Sequence, residues 1–204
     1  MKGYYQDLIT EKSWQILIQL KSKIDFVLIG GWAVYLYTKA LKSKDIDIVI
    51  DYDNLGKLQE MFPVAKNNHL KKYEVKEDSV DIDIYLPFYS VLPIPVTEVF
   101  KFTAQVDNFT VLKKEALLVL KQKAYEGRKA SIKGQKDKMD IISLVSLPDF
   151  EVNFYRNLLK IYSLERFHDQ IKDILSETKE VPELLLNQHH FSQIKKDLLE
   201  KLII

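Results

Sequence analysis

The chain has 204 residues, 47% hydrophobic and 29% charged, enough for one compact domain or two small ones with a true core. It holds no cysteine, which excludes disulfides and thiolate metal sites and suits a reducing compartment. A net charge of +1 gives no global pull toward nucleic acid, and with a polar start (Met1 to Glu11) and no run of about 20 apolar residues, neither secretion nor a membrane span is expected, so the expected location is cytoplasmic.

In chain order, Ile9 to Leu20 has the spacing of an amphipathic helix, with Trp14, Leu17 and Ile18 on one face. Phe26-Val27-Leu28-Ile29 is a short continuous apolar run and predicts a buried strand, which Gly30-Gly31 interrupts. Trp32 to Leu41 returns to helical spacing, with Trp32 read as core. After a polar turn at Lys42 to Lys44, Asp45 to Asp51 alternates strictly as D-I-D-I-V-I-D, the pattern of a strand. Asn54 to Phe62 predicts a helix capped by Asp53 or Asn54. Leu70 to Lys76 and Ser79 to Leu86 predict a hairpin, Pro87, Pro93 and Pro95 mark an irregular loop, and Phe102 to Val106 with Phe109 to Leu112 predict a second hairpin around Asp107-Asn108. Beyond Lys113 the pattern is helical: Glu115 to Glu126, Lys138 to Leu147, Glu151 to Tyr162, Glu165 to Ser176 and Ser192 to Leu202, with Pro148 and Pro182 as separators. The fold class expected is α+β, a mixed sheet flanked by helices over residues 1–110 and a helical domain over 111–204.

Two D-I-D-I copies, Asp45 to Ile48 and Asp81 to Ile84, carry the chemistry. Alternate residues of a strand share a face, so Asp45 and Asp47 point the same way with Cα atoms roughly 6.6 Å apart, two strand steps. Carboxylates so placed converge on one or two cations. If the two copies lie on neighbouring strands, three or four acids crowd one edge of the sheet, which is unfavourable unless a cation neutralises them. Oxygen-only ligands point to Mg²⁺ or Mn²⁺. The Gly30-Gly31 turn follows a buried strand and opens a helix, where unsatisfied N–H groups and the helix dipole favour an anion such as phosphate. It has neither the spacing of a P-loop nor that of a dinucleotide-binding turn. The charge distribution agrees. Ten acids against seven bases from Lys42 to Asp83 are followed by nine bases against four acids from Val111 to Asp140, an arrangement that suits a site for metal and phosphate together.

The stretch Leu28-Ile29-Gly30-Gly31-Trp32-Ala33-Val34 followed by Lys44-Asp45-Ile46-Asp47-Ile48 resembles the DNA polymerase β-type nucleotidyltransferase superfamily, and within it the AbiEii/MenT-like and minimal nucleotidyltransferases. The resemblance implies a Mg²⁺- or Mn²⁺-dependent enzyme that takes a nucleoside triphosphate and passes the nucleotide to a hydroxyl of RNA (tRNA included), a protein or a small molecule, as a toxin with an antitoxin partner in some members. It implies that Asp45 and Asp47 hold metal. Asp83 or Asp81 is the third acid, with Asp83 favoured because Asp83-Ile84-Tyr85-Leu86-Pro87 matches the family pattern. Gly30, Gly31, Ser43 and Lys44 would line the triphosphate. A later stretch, Leu120 to Ala124 with Arg128 and Lys136 to Ile141, resembles a family helix pattern in which Lys121 and Arg128 contact phosphate or acceptor and Asp137 or Asp140 is an accessory acid. Many members have Gly-Ser where this chain has Gly30-Gly31, so here backbone N–H groups alone would meet the phosphate, and the thirteen residues between Gly31 and Asp45 are slightly more than the family has.

Competing readings are a catalytically inactive nucleotide-binding or antitoxin-like module of the same fold, a nucleotide-sugar glycosyltransferase, and an interaction protein whose Leu184-Leu185-Leu186 and Leu202-Ile203-Ile204 segments dock a partner. His69, His168, His189 and His190 have no metal-ligand spacing.

Overall fold

A computed structural model describes residues 2–77, 79–179, 181 and 188–203. The chain divides into two compact units, Met1–Lys113 and Lys114–Ile204.

The first unit opens with α1 (Lys2–Lys21), which starts earlier than its apolar spacing predicts. Leu17 and Leu20 are fully buried, whereas Ile18 is exposed, so the buried face runs through Ile16, Leu17 and Leu20 instead. β1 (Val27–Ile29) leads straight into α2 (Gly30–Thr38), then β2 (Ile46–Val49) and α3 (Tyr52–Met61) follow. The cap of α3 is Asp51, whose side chain accepts a hydrogen bond from the Asn54 N–H at 2.8 Å. Asp53 and Asn54 lie inside the helix, and the strand ends at Val49, two residues sooner than the alternation suggests, with Asp51 capping the next helix. β3 (Ala65–Asn67) is a short strand the sequence pattern does not announce, exposed and without alternation. β4 (Lys72–Glu77) and β5 (Val80–Tyr85) form the expected hairpin. A short helix, α4 (Val96–Val99), closes the proline-rich loop. β6 (Thr103–Val106) and β7 (Phe109–Leu112) form the second hairpin, and Asp107 and Asn108 both take positive φ (48° and 63°), the backbone a tight two-residue hairpin turn requires.

Among the described residues the strands form one mixed seven-stranded sheet in the order β3-β4-β5-β2-β1-β7-β6. β2 runs parallel to β5 and antiparallel to β1, and β1 runs parallel to β7. The registers Leu28↔Ile48, Ile48↔Ile84 and Ile46↔Ile82 put a row of aliphatic side chains on one face, and all five are fully buried. Each contributes about 1.5–3 kcal/mol by leaving water. That burial locks the strand register, because a one-residue slip would drive the intervening aspartates into the core. Trp32 is core, as expected: it is 1% exposed, donates its indole N–H to Ser13 Oγ at 2.8 Å and packs against Trp14.

The second unit consists of α5 (Lys114–Arg128), α6 (Ile132–Val145), α7 (Val152–Ile161), α8 (Arg166–Glu177) and α9 (Gln188–Ile203). α6 begins six residues before its apolar pattern, because Ser131 caps it by accepting from the Gly134 N–H at 3.0 Å. Buried Gln122 joins three of these helices. It donates to the Phe167 carbonyl at 2.6 Å and accepts from the Tyr155 hydroxyl at 2.7 Å. Leu202 is fully buried and so is no docking residue, while Leu184-Leu185-Leu186 and Ile204 lie outside the described residues. Among the described residues no helix is long and apolar enough to cross a membrane.

Candidate functional site

The second face of the sheet carries the acids. Ile29 pairs with Asp47, Asp47 with Asp83, and Asp83 with Glu74, so β1, β2, β5 and β4 contribute one continuous cross-strand row. Paired residues on neighbouring strands share a face at roughly 4.8 Å spacing. Three carboxylates, Asp47, Asp83 and Glu74, therefore stand side by side, and Asp45 precedes β2 by one residue. The two D-I-D-I segments are neighbours on one side of the sheet. Asp81 is exposed and pairs across the hairpin with Lys76, whereas Asp83 is the acid level with Asp47.

The glycine turn closes on this row. Gly30 has φ +67°, a conformation glycine adopts freely and other residues adopt at a cost. A β-carbon built there would lie 2.0 Å from Asp47 Oδ2 and 2.7 Å from Asp47 Cβ. Only hydrogen fits between this turn and the first acid of the row. α2 starts at Gly30 with no side-chain cap, which leaves its N-terminal N–H groups as an anion-favouring end beside Asp47. Ser43 is buried and Lys44 half-buried in the segment that leads from α2 into β2.

One neutralising charge comes from within the chain. Lys72 Nζ lies 2.6 Å from Asp83 Oδ2 and 3.0 Å from Glu74 Oε1, and its side chain is 13% exposed. Glu74 also accepts from Asn67 Nδ2 at 3.1 Å. Burial raises the proton affinity of Asp83; Lys72 pulls against that, and the nearby Glu74 and Asp45 charges reinforce it, so its pKa ends above the ordinary range. Glu74 falls below the ordinary range, chiefly through its hydrogen bond to Lys72. For Lys72, burial opposes the charge, but hydrogen bonds to Asp83 and Glu74 outweigh it and its pKa rises. The sequence reading missed Lys72 and Glu74. The observed register, which pairs Glu77 with Val80, sets Glu74 opposite Asp83, whereas a hairpin linked by residues 77 and 78 would set it opposite Asp81.

Asp45, Asp47 and Asp83 are hard oxygen donors, the kind Mg²⁺ or Mn²⁺ takes, and Gly30 fits closely onto Asp47. Among the described residues no three acid or histidine side chains are already drawn together as a metal cluster, and Lys72 holds one side of the row.

The other expected residues belong to the helical unit, where they form one ion cluster. Lys121 Nζ lies 2.7 Å from Asp140 Oδ2 and 3.7 Å from Asp137 Oδ1, and Arg128 grips Asp137 with two hydrogen bonds of 2.7 and 3.1 Å. Lys121, Asp137 and Asp140 are buried. A separate cavity of about 500 Å³, lined by Lys21, Phe26, Asp51, Asn54 and Phe109 among others, opens at the end of the sheet away from the acid row.

Two solved structures match this chain nearly end to end. One is JHP933 from Helicobacter pylori, at TM-score 0.50 and 18% identity over 97% of this chain and 93% of that one. The other is a candidate nucleotidyltransferase from H. pylori, at TM-score 0.50 and 18% identity over 97% and 96%. The chain has a nucleotidyltransferase-like fold. At this identity the likeness is one of fold. No family model and no curated protein sequence matches the chain.

Proposed function

We propose that the chain is a metal-dependent nucleotidyltransferase that moves a nucleoside monophosphate from a nucleoside triphosphate to an acceptor hydroxyl. The observation that carries this reading is the Asp47↔Asp83 pairing with Gly30 pressed onto Asp47. It sets an oxygen-ligand group and an anion-favouring helix end side by side. Asp45, Asp47 and Asp83 would hold Mg²⁺ or Mn²⁺, which when bound supplies positive charge against the phosphate oxygens. The N–H groups of Gly30 and Gly31, with Ser43 and Lys44, would orient the triphosphate. The acceptor oxygen attacks the α-phosphorus, its proton passes to Asp83, the bond from that phosphorus to the β-phosphate oxygen breaks, and pyrophosphate leaves. Asp83 suits the proton-accepting role because burial has raised its basicity. RNA (tRNA included), a protein or a small molecule is the acceptor class, and the AbiEii/MenT-like resemblance adds a toxin role with an antitoxin partner.

A second reading is favoured by one observation. Lys72 neutralises Asp83 and Glu74 within the chain, so the acids could persist in a nucleotide-binding module without turnover. Incubation with α-labelled nucleoside triphosphates, Mg²⁺ and total RNA or protein separates the two. Label transfer by the wild type, lost in the double variant Asp45→Asn, Asp47→Asn, is the outcome expected of the enzyme. Nucleotide binding with no transfer to any acceptor fits the module, and binding of neither metal nor nucleotide contradicts both.

A further inference from the structure

At the end of the sheet where β4 begins and β5 finishes, the first unit presents aromatic rings and cations together. Phe88 stands 93% exposed at a φ of +61°, a left-handed backbone that a bulky side chain adopts only where its surroundings impose it. Here they do. The Leu86 N–H donates to Ser90 Oγ at 3.0 Å, the Ser90 N–H donates to the Leu86 carbonyl at 3.0 Å, and the Tyr52 hydroxyl donates to the Pro87 carbonyl at 3.1 Å. Tyr89, the next residue, ties this turn to the one before β4, its hydroxyl lying 3.1 Å from both the Asn67 carbonyl and Asn68 Oδ1. Its ring meets that of Tyr73 edge-on, with centres 5.3 Å apart. Lys66 Nζ lies 4.5 Å and Lys71 Nζ 5.7 Å from the centre of the Tyr89 ring. Both lysines are exposed, and neither forms an ion pair among the described residues. Glu74, the acid of β4, is held by Lys72 instead. Leu70 and Val91, both exposed, border the two turns.

These parts suit one kind of ligand. Two cations gathered at one ring, with no acid to neutralise them, attract a chain of phosphates. A ring held outward in water offers its face to a base, whichever base it is, because every base has a π face. A duplex hides those faces, so the match is to a single strand. Stacking also uses a ring of fixed position, which the bonds around Phe88 provide; a lipid surface has no use for that fixity. We propose that Lys66, Lys71 and Phe88, framed by Tyr73 and Tyr89, form a surface for single-stranded nucleic acid, with phosphates on the two lysines and a base on Phe88. The surface lies outside the acid row. Under the nucleotidyl-transfer reading the strand held here is the RNA acceptor, and that clause alone rests on the reading.

The test is fluorescence anisotropy of a labelled single-stranded RNA of about 12 nucleotides, titrated with the full chain across a salt series. EDTA is present and nucleoside triphosphate is left out, so neither metal nor transfer enters the result. The wild type is expected to bind, with affinity that falls as salt rises. The double variant Lys66→Gln, Lys71→Gln should bind more weakly and lower the slope of log affinity against log salt by about 1.4, the share of two phosphate contacts on a single strand. Phe88→Ala should weaken binding roughly tenfold or more with the slope unchanged, and Phe88→Trp, which keeps a ring face, should bind as the wild type does. All three side chains are exposed, so the variants keep the fold, which circular dichroism checks. No RNA binding at low salt, binding indifferent to the lysine pair or to Phe88→Ala, or binding to phosphatidylserine vesicles in place of RNA overturns the proposal. RNA binding by a chain that transfers no label supports this surface and contradicts the nucleotidyl-transfer reading. Where label does pass to RNA, Phe88→Ala should raise KM for the RNA and leave kcat unchanged; an unchanged KM overturns the acceptor assignment.

Discussion

At the scale of single residues, Gly30 and Asp83 carry opposite kinds of constraint. Gly30 is constrained by space: a methyl group would meet Asp47 Oδ2 at 2.0 Å, at a φ of +67°. Gly30→Ala is therefore expected to cost about 1–3 kcal/mol in chemical unfolding and to weaken Mn²⁺ binding, because Asp47 must move. Unchanged stability with unchanged metal binding would show that the turn does not press on the acid. Asp83 is constrained by charge. Its folded pKa is raised, so its stabilising contribution is full below the ordinary carboxylate range and is lost as pH climbs through the raised value. Asp83→Asn removes that loss and leaves Lys72 its bond to Glu74. The variant should be more stable than the wild type at neutral pH and should show a flatter pH profile, while losing nucleotidyl transfer. A melting temperature that falls on this substitution at neutral pH would contradict the assignment. The aspartates were legible in the sequence because strict alternation forces them onto one face. Lys72 and Glu74 were not, since only the register of the hairpin makes them neighbours of that face.

At the scale of elements, strands were read more surely than helix starts. D-I-D-I and the flanking turns located β2 and β5, and Asp107-Asn108 located the β6–β7 hairpin, because alternation and turn residues are local signals. The starts of α3 and α6 were misplaced because Asp51 and Ser131 act as caps ahead of the apolar periodicity. β3 escaped notice because its three residues are held by pairing to β4, with no pattern of their own. The helical unit depends on a bond that no periodicity predicts. Gln122 is buried on α5 and joins α7 through Tyr155 and α8 through the Phe167 carbonyl. Gln122→Leu would strand both partners away from water, and denaturant unfolding should show a loss of about 2–4 kcal/mol. A loss under about 0.5 kcal/mol, the scale of an ordinary surface substitution, would show that the two groups find other partners.

At the scale of the whole molecule, the sequence change near Lys113 coincides with a change of construction from sheet to helices. The candidate chemistry is concentrated in the first unit, where β1, β2, β4 and β5 place Asp47, Asp83, Glu74 and Lys72 in contact with one another or in adjacent register. Lys121, Arg128, Asp137 and Asp140 are ion-paired with one another in the second, with Lys121, Asp137 and Asp140 buried, so removing one partner would leave a buried charge uncompensated. The sequence could reveal that these residues are charged and helically spaced, but which of them pair is decided by how α5 packs on α6. The account as a whole turns on the acid row being a seat for metal and triphosphate. A crystal soaked with Mn²⁺ and a non-hydrolysable nucleoside triphosphate tests that most directly. The anomalous signal should fall among Asp45, Asp47 and Asp83, with the triphosphate against the N–H groups of Gly30 and Gly31; an ion and nucleotide bound anywhere else, or density for neither at saturating concentrations, would contradict it.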